Sequence, residues 1–178
     1  LYGQGSSTQR KDMMMFAVTH NMPGLAFRLA DLHFQDTGHA FNLALYPQPE
    51  TQVNFDVDPA IIYGIIRKES SFYPLARSRV RASGLMQIMP ATAAFISKDR
   101  SFLNENRHLL NNPDINLKLG QDYILHLLET AVVDQHLFKL LVAYNAGPGN
   151  LKKWMKKIDH RDDSFLLLES IPARETRG

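Results

Sequence analysis

One glutamate, Glu69 in the stretch RKESSFYP, closes an apolar run in which Ile62, Ile65 and Ile66 precede it by seven, four and three residues. On a helix this spacing puts the carboxylate on the face that the isoleucines must bury. A carboxyl partly withdrawn from water has its charged form disfavoured and its pKa raised, as a general acid working near neutral pH requires. The plain alternative is a charge at a helix end that pairs with Arg67, Lys68 or a later arginine and does no chemistry.

Two further blocks carry side chains suited to a polar ligand. In SGLMQIMPATA, Gly84 permits a tight turn, and Met86, Gln87 and Met89 follow it before Pro90 opens another helix. Gln87 offers both a donor and an acceptor, which fits a sugar hydroxyl or an acetamido group. Methionines at this spacing also serve as flexible core filler. In VAYNAGPGN, Tyr144 and Asn145 end a helix that Gly147, Pro148 and Gly149 stop, and taken alone the block reads equally as a helix cap.

The elements that must position these residues are helical. Apolar residues recur at helical intervals over 13–21, 24–33 and about 38–45, and the polar segment 3–12 reads as a flexible start. Pro47 and Pro49 mark a boundary, with a helical extension at 1–46 and the main domain at 47–178. The main domain opens with Asp58 as N-cap and Pro59 at the first helical position. Further helices are predicted from Pro90 to about Ser97, from Pro113 or Asn116 to about Val133, and from Asp134 or Gln135 to about Ala146. Two more run from Asn150 to about Ile158 and over about 163–170. Ile115, Leu119, Tyr123 and Leu127 repeat every fourth residue in the long one, with Gly120 expected to let a neighbouring helix approach. A short hairpin near 74–83 is the only sheet signal, so the fold class is mainly α.

The 178 residues, 44% of them apolar, suffice for one domain core and a short extension. Twenty basic against eighteen acidic side chains leave a formal charge of +2, too balanced for a protein that holds nucleic acid chiefly through phosphates. Cysteine is absent, so no disulfide framework and no thiolate site is expected. The seven histidines include no HxxxH or HExxH pair, and neither a metal nor a cofactor is expected. No apolar run is long enough to span a bilayer. Arg77, Arg79 and Arg81 alternate, and Lys152, Lys153, Lys156 and Lys157 surround Trp154. Both sets read as solvated faces or as surfaces that draw in an anionic polymer.

The ordered blocks ESS at 69–71, GLMQIMP at 84–90, AYNAG at 143–147 and IPARETRG at 171–178 resemble the soluble lytic transglycosylases of bacterial cell walls. The resemblance covers about residues 47–178 and implies a goose-lysozyme-like catalytic domain, preceded by the end of a helical superdomain. It implies that Glu69 is the single catalytic acid and base, acting on the bond between N-acetylmuramic acid and N-acetylglucosamine and leaving a 1,6-anhydro end. By the same resemblance Ser78, Gln87 and Met89 line the glycan groove, Tyr144 steers Glu69, Asn145 supports the site and Glu175 meets the peptide stem. Peptidoglycan strands are then the partner and the periplasm the compartment. Where the family commonly reads Ser-Pro-x-Gly, this chain has Ser78, Arg79, Val80 and Arg81, and Tyr73 replaces an asparagine before Pro74. The rival readings are a hydrolytic muramidase on the same fold and a catalytically silent glycan-binding module.

Overall fold

The computed structural model describes residues 6–158 and 163–172. Two compact units divide the chain, Leu1–Gln121 and Asp122–Gly178. The described residues are mainly helical, and pairing between strands is limited to the isolated bridges Arg77–Ser83 and Ser83–Ile88.

The first unit begins with three helices, α1 (Ser7–Thr19), α2 (Pro23–Thr37) and α3 (Asn42–Leu45). Residues 7–12, expected to be a flexible start, belong instead to α1. The Ser6 side chain accepts from the Gln9 amide, and the Gln9 side chain accepts from the Ser6 amide, a reciprocal cap that lets the polar residues form the exposed first turns. Met14, Ala17, Ala26, Leu29, Ala30, Ala44 and Leu45 give these three helices a small core of their own. Arg10 on α1 also pairs with Asp36 on α2.

After the proline-rich connection, α4 (Pro59–Ser70) starts where Asp58 accepts from the Ala60 amide at 2.8 Å. Ile62, Ile65 and Ile66 are buried as their spacing requires, while Gly64 and Lys68 face solvent. The expected hairpin near 74–83 is not a pair of strands. Ser78–Arg81 form a turn, Ser78 N donates to Ala82 O at 3.0 Å, and Ser83 and Ile88 exchange both backbone bonds at 3.1 and 3.0 Å. Each pairing lasts a single residue because the chain turns again at once, at Gly84.

Helix α5 (Pro90–Ser97) matches its expected bounds, whereas the two 3₁₀ segments after it, Arg100–Leu103 and Glu105–Asn111, carry no apolar period that announces them. Helix α6 (Pro113–Leu128) passes from the first unit into the second. It ends before the expected Val133, and Asp134 and Gln135 adopt left-handed φ values of 50° and 57°, so they precede the next helix rather than start it. The second unit continues with α7 (Leu137–Ala146), α8 (Pro148–Lys157) and α9 (Ser164–Ser170). Leu140, Val142, Ala143, Leu151, Leu167 and Ile171 are buried there, and the Phe138 and Phe165 rings lie 5.0 Å apart. All four lysines of α8 are exposed beside a half-buried Trp154, the pattern of a solvated face.

Candidate active site

Glu69 is the penultimate residue of α4 and is half-buried, one step along the face that carries the buried isoleucines. The helix ends abruptly behind it. Ser71 and Phe72 both take left-handed backbone angles, φ 50° and 63°, a conformation that costs a residue with a Cβ about 1–2 kcal/mol. Burial of the Phe72 ring, 1% exposed, offsets that cost. Buried side chains thus stand on both sides of Glu69 in the chain, the isoleucine stripe before it and Phe72 after it.

The second block is a scaffold of hydrogen bonds around one buried amide. Asn116 on α6 has no exposed surface, and its Oδ1 accepts from Met86 N at 2.7 Å. Its Nδ2 donates to Ser83 O at 2.9 Å and to Leu110 O at 2.8 Å. Gly84 has φ 83°, and a Cβ added there would overlap Asn116 Nδ2 and Leu110 O, so both the turn and the packing demand glycine. Gly120 was expected to let a neighbouring helix approach. Its partner is instead the Met86 side chain, whose sulfur occupies the place a Cβ would need.

Ser78 and Gln87 both belong to this scaffold. Ser78 Oγ accepts from Ala82 N at 2.9 Å. Gln87 Nε2 donates to Ala76 O at 3.1 Å and to Gly84 O at 2.9 Å, and the residue itself is left-handed with φ 49°. Its amide nitrogen thus ties the two turns together, leaving the carbonyl end as the half that a sugar donor can use. Met89 is 36% exposed at the N-cap of α5, while Met86 is wholly buried, so the two methionines divide into surface and core.

Tyr144 and Asn145 close α7 in the second unit, Tyr144 half-buried with its ring 5.5 Å from Tyr123, and Asn145 exposed. Burial raises the Tyr123 hydroxyl above its usual pKa, so this phenol stays protonated at neutral pH. Glu175 lies outside the described residues. From the sequence Asn116 is a possible helix start and nothing more; its burial between Ile115 and Leu117 on α6 is what obliges its amide to find partners.

Arg81, standing where a glycine is common in the resembling family, is exposed and left-handed with φ 75°. A glycine there relieves the backbone without removing buried contact. Arg81→Gly is expected to raise stability by about 1 kcal/mol in urea unfolding, an increment that a strain-free arginine would not show.

Comparison with known proteins identifies the family and the fold. The profile of the Transglycosylase SLT domain matches residues 48–166. The soluble lytic murein transglycosylase of Salmonella typhimurium is 36% identical over 124 residues, covering 69% of this chain and 19% of that protein. The membrane-bound lytic murein transglycosylase C of Edwardsiella ictaluri is 29% identical over 151 residues, 80% of this chain and 41% of that protein. The chain thus spans about a fifth of the length of the soluble relatives it matches. Among solved structures, the 70 kDa soluble lytic transglycosylase of Escherichia coli superposes with a TM-score of 0.80 at 27% identity, over 99% of this chain and 29% of that one. An inactive Glu-to-Gln mutant of the lytic transglycosylase Slt from Pseudomonas aeruginosa gives 0.70 at 26% identity, with the same coverage. The mainly α, lysozyme-like fold expected from the motif blocks is therefore the fold observed. With the profile spanning two thirds of the sequence, the chain belongs to the SLT transglycosylase domain family.

Proposed function

We propose that this protein is a lytic transglycosylase that cleaves the β-1,4 bond between N-acetylmuramic acid and N-acetylglucosamine in peptidoglycan, with Glu69 as its acid and base. The observation that carries the reading is the half-buried Glu69 at the end of the isoleucine-striped helix, inside the matched residues 48–166. The Glu-to-Gln mutant of the Pseudomonas aeruginosa neighbour is inactive, which supports a reaction that depends on one carboxyl. A further solved neighbour, the 70 kDa soluble lytic transglycosylase, is complexed with bulgecin A, at a TM-score of 0.74 and 28% identity.

In this mechanism Glu69 gives its proton to the glycosidic oxygen as the bond to the muramoyl C1 breaks, and positive charge spreads over C1 and the ring oxygen. The resulting carboxylate takes the proton of the muramoyl C6 hydroxyl. The C6 oxygen bonds to C1 of its own ring, and the carboxyl is restored. Ser78, Gln87 and Met89 line the glycan groove, Tyr144 and Asn145 support the reacting centre, and Glu175 meets the peptide stem. Residues 47–178 make up the catalytic domain and residues 1–46 a helical extension, and the reaction belongs to the periplasmic cell wall.

The products test the reading. Purified sacculi are digested, half of the digest is reduced with borohydride, and the muropeptides are weighed. Internal attack gives muramoyl ends lighter by one water that take up no hydrogen. A hydrolytic muramidase gives reducing ends that gain two hydrogens, and a silent glycan-binding module releases nothing.

A further inference from the structure

The segment before residue 47 packs against the end of α4, and the Phe27 ring lies at the centre of the contact. The Arg67 guanidinium lies over the Phe27 ring at 5.3 Å and over the Tyr46 ring at 4.7 Å. Phe27 also meets the Phe72 ring at 5.7 Å. It therefore touches the chain two residues before Glu69 and three residues after it. The backbone is close as well, since a Cβ added to Gly24 on α2 would stand 3.0 Å from Phe72 O. A cleft of about 460 Å³ runs along the same seam beside Leu25, Ser70 and Ser71. The ring contacts of Phe27 thus lie at the edge of this cleft, on the side where α2 meets the end of α4.

We infer that Phe27, acting through Arg67 and Phe72, is a positioning residue for Glu69, so that the N-terminal helices set the aim of the reacting carboxyl. A planar guanidinium stacked on aromatic rings resists rotation in a way an ammonium does not, because its charge is delocalised over a flat fork. The consequence falls on turnover rather than affinity. A carboxyl displaced by a fraction of an ångström still meets bound glycan but is misaligned for proton transfer.

The inference rests on Glu69 as the reacting group, and the experiment separates the two. Turnover and KM are measured on soluble uncrosslinked glycan strands, per folded molecule, for Phe27→Leu, Phe27→Tyr, Arg67→Lys and Tyr46→Leu beside Glu69→Gln. Phe27→Leu and Arg67→Lys are each expected to lower kcat about tenfold with KM within about twofold, and the pair combined to lose little more than either alone. Phe27→Tyr, which keeps the ring, restores turnover. Tyr46 is 59% exposed, so Tyr46→Leu removes the second ring without opening a core, and a several-fold fall in kcat is expected. If Phe27→Leu does not fold, Tyr46→Leu and Arg67→Lys decide the question. Normal kcat in the folded variants, with only a lowered melting temperature, overturns the positioning role and leaves Glu69 untouched. An active Glu69→Gln overturns the reading beneath it.

Discussion

Replacing Glu69 by glutamine lowers glycan cleavage about a thousandfold or more, while the protein folds and binds glycan as before. The amide has the shape of the carboxyl but cannot hand over a proton to the glycosidic oxygen or take one from the C6 hydroxyl. Both halves of the proposed reaction therefore fail together. A thousandfold loss corresponds to about 4 kcal/mol of transition-state stabilisation, within the range expected for a positioned general acid. Release of soluble muropeptides from sacculi, with circular dichroism to check the fold, measures it. A variant that keeps a tenth of the activity removes Glu69 from the acid's role.

Asn116→Ala is expected to be the most destabilising polar substitution in the first unit. It removes the amide that Met86 N, Ser83 O and Leu110 O share, of which Ser83 O keeps its bond from Ile88 N, and opens a void where the amide stood. A buried hydrogen bond lost in this way costs about 1–3 kcal/mol, and together with the void the sum is roughly 2–4 kcal/mol. That is a large share of the stability of an ordinary domain. Gly84→Ala attacks the same amide from the other side, because its Cβ overlaps Asn116 Nδ2 and Leu110 O. The two substitutions share one set of contacts, so their costs do not add. Urea unfolding of the single and double variants measures this. Additive losses, or a cost for Asn116→Ala below about 1 kcal/mol, contradict the role given to the amide. Activity falls with stability here, since the same scaffold carries Gln87 and leads into Met89.

Much of this protein was determined within short windows of its sequence. Asp58 and Pro59 start α4, Pro90 starts α5, and the isoleucine spacing decides which face of α4 is buried and so where Glu69 stands. These signals work because capping, proline geometry and helical periodicity act over about one to two turns. The capping box of Ser6 and Gln9 was equally local, and the polar composition around it concealed it. Only the tertiary structure decided the rest. Gln87 looked like a sugar ligand by its chemistry, yet its amide nitrogen is committed to carbonyls at Ala76 and Gly84. Gly120 makes room for a methionine rather than a helix. Asn116 joins groups 6, 30 and 33 residues away, and Phe27 meets Arg67 and Phe72 across a still longer stretch of chain. No local period encodes such partnerships. They arise when burial strips water from a polar group or a cation and leaves it to whichever donors, acceptors and rings the folded chain has brought within reach.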